Sequence, residues 1–300
     1  MAEGVDRDQG LSTVAAGGPG RKLSRFLYRH PRVRLGGLLG APLVWLLVAY
    51  LGSLIALLFT SLFHTDSFTG AIIHDTSADN FRDLATSDVY RAVGVRTLVI
   101  ALLVTAIDIA IALPIAFYLA KVASRRVRSF AAVAVLLPLW ASYLVKAYAW
   151  RTILTPSGGV LERTVGWTPG FGRTALVIVL SYLWLPYMIL PIYAGLERLP
   201  DSLLEASADL GGKAWRTFRS VIVPLVWPAL IAGSIFTFSL SLGDYIAVNI
   251  VGGKTQVLGS VVYQNFVDNL PFAAAFSIVP VVVMIVYLLA VRRTGAFENL

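Results

Sequence analysis

The sequence predicts an all-α polytopic membrane protein with six transmembrane helices and both termini in the cytoplasm. Three observations predict it. Hydrophobic residues make up 57% of the 300 and charged residues only 14%, against about 25% charged in a soluble domain, and the mean hydropathy is +0.74. The apolar residues gather in six runs long enough for a helix to cross the hydrocarbon core, not in the alternating segments of roughly ten residues that mark a membrane barrel. Finally, the basic residues alternate between the connecting segments, as the positive-inside rule requires.

Residues 1–35 read as a basic cytoplasmic tail. Its first 20 residues are rich in Gly, Ser and Ala without apolar period, which predicts flexibility. The first apolar run, 36–63, exceeds the 7–15 residues of a signal-peptide core and no small-residue cleavage pattern follows it, so it is expected to stay as the first span. The 64–92 segment sets Asp66, Asp75, Asp79, Asp83 and Asp88 against Arg82 and Arg91, which suits the outer face. The second span covers 93–120, the third 130–154 and the fourth 174–196. The fifth, 221–250, reads either as one long helix or as a helix plus a re-entrant piece, and the sixth covers 272–291 before a short cytoplasmic tail, 292–300. Sixteen of the 25 basic residues fall on the N-terminal tail, the 121–129 loop, the 197–220 loop and the C-terminal end, while six fall on the opposite side. The net charge of +8 therefore has a topological cause and calls for no nucleic-acid partner.

Most connections in a compact bundle are short, so the 197–220 loop needs a reason. Ser202 and Glu205 have the S-x-x-E spacing of a capping box, with Pro200 and Asp201 before them. Leu203, Leu204 and Ala208 then give an apolar face that ends at Leu210 and Gly211, a glycine stop. A second helix follows, with Trp215, Phe218 and Ile222 on one face and Lys213, Arg216 and Arg219 on the other, and Pro224 is expected to mark its boundary with the fifth span. Period alone leaves two readings open: a docking knob, or a pair of helices lying in the lipid headgroups.

The residues go further. Glu205, Ala206 and Ser207, then Gly211 after three residues, then Val221, Ile222, Val223 and Pro224 after nine more, resemble the EAA loop of bacterial ABC importer permeases. Ser207 stands for the second Ala and the two Val for Ile and Leu, all size-conserving changes. The stretches LLPLWASYLVKAYAWRTIL, YLWLPYMILPIYAGLERLPDSLLEA and SLSLGDYIAVNIVGG look like the spermidine/putrescine branch of that family, and the likeness extends over roughly 36–291.

The resemblance implies a type I importer permease fold whose 36–291 domain carries a coupling loop at 197–224. It implies that Leu204, Glu205, Ala206, Ser207, Asp209, Gly211, Trp215 and Pro224 meet an ATPase. It also implies two cytoplasmic ABC ATPase subunits, a second homologous permease and an extracytoplasmic solute-binding protein as partners, with lipid around the spans. The chain would then be a multi-pass protein of the bacterial cytoplasmic membrane, without catalysis, cofactor or metal of its own. Its cargo would be a small cationic, polyamine-like solute.

Ionisable groups inside a span are costly and usually face a cavity or a partner. Asp244, beside Tyr245, supplies a carboxylate and an aromatic face, which together suit an ammonium ion. The other reading of Asp244 is an ion pair with Lys146 that fixes packing. Asp108 is a second candidate for the solute pathway, and Trp140, Tyr143 and Tyr187 are further ones, although Trp and Tyr also collect at membrane interfaces by default. Lys146 is expected to be structural, because it would repel a cation.

Other chemistry fails on spacing. Gly253, Lys254 and Thr255 imitate the end of a phosphate loop, but Val248 sits where its first glycine belongs. An intramembrane aspartyl protease needs a glycine that Ser241 replaces. The three histidines, His30, His64 and His74, lie in tails or loops, and the chain has no cysteine. The class that remains beside an ATP-driven permease is an autonomous channel or secondary carrier.

Overall fold

A computed structural model describes Tyr28, residues 31–66 and residues 69–293. Most of the expected 1–35 tail and residues 294–300 lie outside these. The described residues fall into two units that divide between Ala56 and Leu57. The first is helical: α1 (Pro31–Leu46) runs through a π turn at Leu47–Leu51 into α2 (Gly52–Thr60), whose last turn belongs to the second unit. Its apolar stretch, Leu35–Thr60, has 26 residues, or about 39 Å at 1.5 Å per residue, enough to cross a bilayer with tilt.

The second unit opens with a two-stranded antiparallel ribbon, β1 (His64–Thr65) and β2 (Ile72–Ile73), and a short helix α3 (Asp79–Thr86). Next comes α4 (Asp88–Phe117), which a π turn at Tyr118–Val122 prolongs. Pairing the expected third span with the structure requires a correction. The run is broken into α5 (Arg125–Trp140) and α6 (Tyr143–Leu154), bent by 96°. Ala141 and Ser142 are extended at the break, so nearby carbonyls lose their helical partners. Lys146 supplies one replacement by donating from Nζ to the Pro138 carbonyl at 3.0 Å. It is structural, as expected, but as a carbonyl cap and not as half of an ion pair.

A short helix α7 (Val160–Val165) leads to α8 (Arg173–Glu197), which stays continuous through Pro186 and Pro191. The long loop forms α9 (Ser202–Asp209) and α10 (Ala214–Thr217). From α10 the chain passes through a π turn at Phe218–Ile222 into α11 (Val223–Gly243). Pro224 thus sits in the first turn of α11, at the boundary where it was expected, although the chain passes there through a π turn without a break. The wide π turn just before it is one of the ways a helix absorbs a residue without an amide hydrogen. The fifth run is not one long helix: α11 stops at Gly243, and α12 (Ile246–Val251) is a separate short piece. Two helices finish the unit, α13 (Leu258–Asn265) and α14 (Leu270–Arg292). Among the described residues, five helices are long and apolar enough to span a membrane, six if the bent pair α5 and α6 counts as one.

Helices α4, α8 and α11 form the centre of this unit. Toward the N-terminal ends of α4 and α8, Ile100 and Val104 pack with Leu176, Val179 and Leu183. Toward their C-terminal ends, Ala112 and Ala116 pack with Met188 and Ile192 of α8 and Val226 and Leu230 of α11. Small residues let these backbones approach closely, as membrane helices without a hydrophobic driving force require. Gly233 is such a contact point, since a Cβ there would come within 2.7 Å of the Met188 sulfur and 3.2 Å of its backbone.

Candidate functional site

Two groups of residues stand out, one on the long loop and one at the broken fifth run.

On the loop, α9 ends in a reversal that only glycine makes easily. Leu210 N donates to the Ala206 carbonyl, Gly211 N to that of Ala208 and Gly212 N to that of Ser207. Gly211 has φ +74, the left-handed region. Gly212 is needed for a different reason: a Cβ there would meet the Ser207 carbonyl oxygen at 2.6 Å. Across the turn, the Ser207 and Thr217 hydroxyls share a hydrogen bond of 2.7 Å that ties α9 to α10. Ser207 thus contributes a bond that an alanine there would lack.

Helix α9 starts where the S-x-x-E spacing placed it, yet the capping box does not form, and no side chain caps the helix. Its first amides are met by backbone carbonyls instead, Leu204 N and Glu205 N both donating to that of Asp201. Glu205, Ala206, Asp209, Gly211 and Pro224 are exposed, and Leu210 and Trp215 present apolar surface, 89% and 71% exposed. Trp215 stacks on Phe218, ring centroids 5.8 Å apart. Beside them Leu204, Ala208, Phe117 and Ile222 line a groove of about 650 Å³. An exposed Trp above an apolar groove is what a protein partner covers.

The second group forms where α11 stops. Asp244 is 8% exposed. One carboxylate oxygen, Oδ1, accepts from the Ala247 amide at 2.9 Å and so caps α12. The other, Oδ2, accepts from the Tyr143 hydroxyl at the start of α6. Asp244 thereby staples together the two breaks. Gly259 on α13 packs against the same point, since a Cβ there would lie 2.7 Å from the Gly243 carbonyl oxygen. Tyr245 stacks on Tyr263 at 4.7 Å, and the two border a cavity of about 440 Å³ with Val262, Phe266 and Gly259. From Tyr143 a series of rings continues through Trp184 (5.9 Å) and Tyr187 (5.9 Å) to Phe236 (6.5 Å).

The structure thus brings together Asp244, Tyr143 and Tyr245, and reaches Tyr187 through Trp184. It leaves Trp140 apart, 91% exposed at the end of α5. Asp108 is also apart: it is fully buried in α4, with the Ser181 hydroxyl of α8 as its polar neighbour. Three basic residues of these helices serve backbone carbonyls. Besides Lys146, Arg151 donates to Ile250 O at 3.1 Å while stacking over Phe171, and Arg96 donates to Gln256 O at 3.1 Å. The ion pair expected as one reading between Asp244 and Lys146 is not formed. Sequence reasoning missed Gly212, Gly259 and Tyr263. Gly212 had a signal in the Gly-Gly pair, whereas the other two act through neighbours remote in sequence.

These features define a polytopic helical membrane protein with an exposed loop and a broken, aromatic-rich region in its second unit. The family model described as "Binding-protein-dependent transport system inner membrane component" matches residues 38–294, and the chain belongs to that family. It is therefore a membrane permease component of an ABC importer, not a catalytic enzyme. The chain is 41% identical to the inner membrane ABC transporter permease protein YdcU of Escherichia coli K12, over 93% of this chain and 95% of that one. It is 30% identical to the spermidine/putrescine transport system permease protein PotB of the same strain, over 74% of this chain and 83% of that one. In fold it is similar to a chain of a bacterial alginate ABC transporter, solved with an alginate pentasaccharide-bound periplasmic protein, at TM-score 0.73 and 17% identity, covering 93% of this chain and 98% of that chain. The MetNI methionine transporter gives TM-score 0.55 at 18% identity, over 72% and 100% of the two chains.

Proposed function

We propose that this chain is the membrane-spanning half of an importer for a small cationic solute of the polyamine class. In this reading it pairs with a second permease, and an extracytoplasmic binding protein delivers the solute. Two cytoplasmic ATPase subunits receive α9 and α10, which form the coupling helix pair of the EAA loop. The observation that carries the coupling is the glycine reversal at Gly211 and Gly212, which holds Leu210 and Trp215 out as exposed apolar contacts. The likeness to a spermidine/putrescine permease over 74% of the chain supports the solute class, and so does the Asp244 carboxylate held against the Tyr143 hydroxyl, with Tyr245, the next residue, stacked on Tyr263. A carboxylate with unused lone pairs and an aromatic face replaces water around an ammonium ion. Asp244, Tyr245, Tyr143 and Tyr187 are assigned to the solute pathway, Trp140 to the lipid interface and Asp108 to the helix core. The spans number six, with both termini inside.

ATP-driven closure of the ATPases would move the knob and switch the pore between its two accesses, a two-state element biased by ATP on one side and solute on the other. Reconstitution tests this. Uptake of a labelled polyamine should require the ATPase subunits, the binding protein and ATP together. Uptake by this chain alone would instead establish an autonomous carrier, and a binding protein that ignores polyamines would remove the solute class.

A further inference from the structure

Lys121 lies on the π turn that ends α4, and its side chain is 8% exposed. Its ammonium donates to the Leu199 carbonyl at 2.5 Å and to Asp201 Oδ1 at 2.7 Å. Leu199 follows the end of α8 and Asp201 immediately precedes α9, so one cation joins the end of the second span, the exit of the fourth and the entry to the knob. Arg128 fixes the same turn of α4 from another side, donating to Leu119 O at 3.0 Å and Ala120 O at 2.8 Å.

Asp201 stands at the N-cap position of α9, where an aspartate normally accepts from the helix's own amides. It gives that up, and its side chain serves Lys121 instead. The hydrogen bond from Lys121, and then its charge, hold the exposed Asp201 carboxyl below the usual carboxylate range. With its Asp201 end 77% exposed the pair contributes little to the stability of α9 itself, so local helix stability does not explain the choice; a link between elements does. The neighbouring contacts are apolar. Phe117 meets Phe218 edge-on at 6.1 Å, and Leu199 and Leu204 pack against the buried cluster that includes Ala116 and Ala120. Apolar surfaces slide over one another, whereas a buried ammonium with two fixed acceptors holds its place. Lys121 itself lies on the wide π turn Tyr118–Val122 and a second one follows the knob at Phe218–Ile222, and such turns are frequent at functional sites.

We propose that Lys121 is the positioning residue through which the 202–217 knob moves the second span, so that ATPase closure reaches the core by this clamp. The inference rests on the coupling reading above and deepens it. The test uses the full complex with its ATPase and binding protein in liposomes, measuring ATP hydrolysed per solute imported. Lys121→Met should assemble and hydrolyse ATP at the basal rate while this ratio rises about tenfold, within the range usual for coupling between sites. Lys121→Arg, which keeps the charge, should restore most of the coupling. A parental ratio in Lys121→Met overturns the clamp. Asp201→Asn, an exposed change that leaves the Leu199 bond in place, covers the case in which Lys121→Met does not assemble. It should raise the ratio less, in the same direction, and an unchanged ratio there overturns the clamp as well. Gly211→Asp serves as the control: if it uncouples while Lys121→Met does not, the clamp fails and the knob survives. If neither uncouples, the knob reading fails too.

Discussion

The Tyr143 hydroxyl donates to the Asp244 carboxylate across 101 residues of sequence, joining the bend between α5 and α6 to the break between α11 and α12. The other oxygen of the same carboxylate caps α12 through Ala247 N. Removing the tyrosine hydroxyl leaves a largely buried carboxylate oxygen unpaired, a loss of about 1–3 kcal/mol. Tyr143→Phe should therefore lower the unfolding midpoint of the purified complex. Asp244→Ala should lower it further, because it also removes the cap, worth about 1 kcal/mol. Asp244→Asn keeps an oxygen for Ala247 and should spare assembly while raising the KM for the cationic solute. Parental uptake in Asp244→Asn would take this residue out of the solute pathway.

Asp108 makes the opposite case. It is buried among the central helices with only the Ser181 hydroxyl of α8 near it, and a polar group in that position is a cost. Asp108→Asn keeps its size and removes the possibility of charge. The variant should insert normally, match or exceed the parent in thermal stability, and lose less uptake than Asp244→Asn. A larger loss of uptake than in Asp244→Asn would place Asp108 on the pathway after all.

The two adjacent glycines of the knob can be told apart. Gly211 needs its left-handed φ of +74, which costs an alanine about 1–2 kcal/mol, yet a Cβ there meets open space. Gly212 has the Ser207 carbonyl oxygen 2.6 Å from where its Cβ would be, and backbone cannot rotate aside. Gly211→Ala should thus retain partial ATP-dependent uptake, whereas Gly212→Ala should uncouple more strongly with membrane insertion unchanged. Gly211→Asp, which adds charge as well as strain, should abolish uptake. The reverse order of the two alanine variants, measured at equal membrane levels, would show that the Ser207 contact does not shape the knob.

Much of this was legible from local signals. Span positions came from apolar length, and helix α9 began beside Ser202 as its spacing indicated. The break at Ala141 was not legible, because proline does not identify it: Pro138 precedes a bend, while Pro114, Pro186, Pro191 and Pro228 lie inside continuous helices. Lys146 then looked like a buried charge in search of an anion, when the broken backbone beside it supplied a carbonyl. The expected capping box did not form because α9 takes Asp201, not Ser202, as its N-cap. The Asp201 side chain in turn has a competing partner 80 residues away, and nothing in its neighbourhood distinguishes Lys121 from the other bases of the 121–129 loop. Side-chain roles that depend on long-range pairing are where sequence periodicity stops being informative.

Orientation is open to direct measurement because the chain has no cysteine, so every introduced thiol reports alone. The basic residues predict the sides. Lys and Arg cluster on the 121–129 and 197–220 loops, and the positive-inside rule counts short loops of this kind. Leu210 is the best cytoplasmic reporter, since its side chain is 89% exposed at the tip of the knob and belongs to no span. Asp75 is the outer reporter, exposed between β2 and α3 among acidic neighbours. In right-side-out vesicles, a membrane-impermeant maleimide should label Asp75→Cys and leave Leu210→Cys unlabelled until the membrane is opened. Added ATPase subunits should then protect Leu210→Cys from labelling in the opened vesicles. Labelling of Leu210→Cys from outside would invert the topology and put the knob on the wrong side of the membrane for any ATPase.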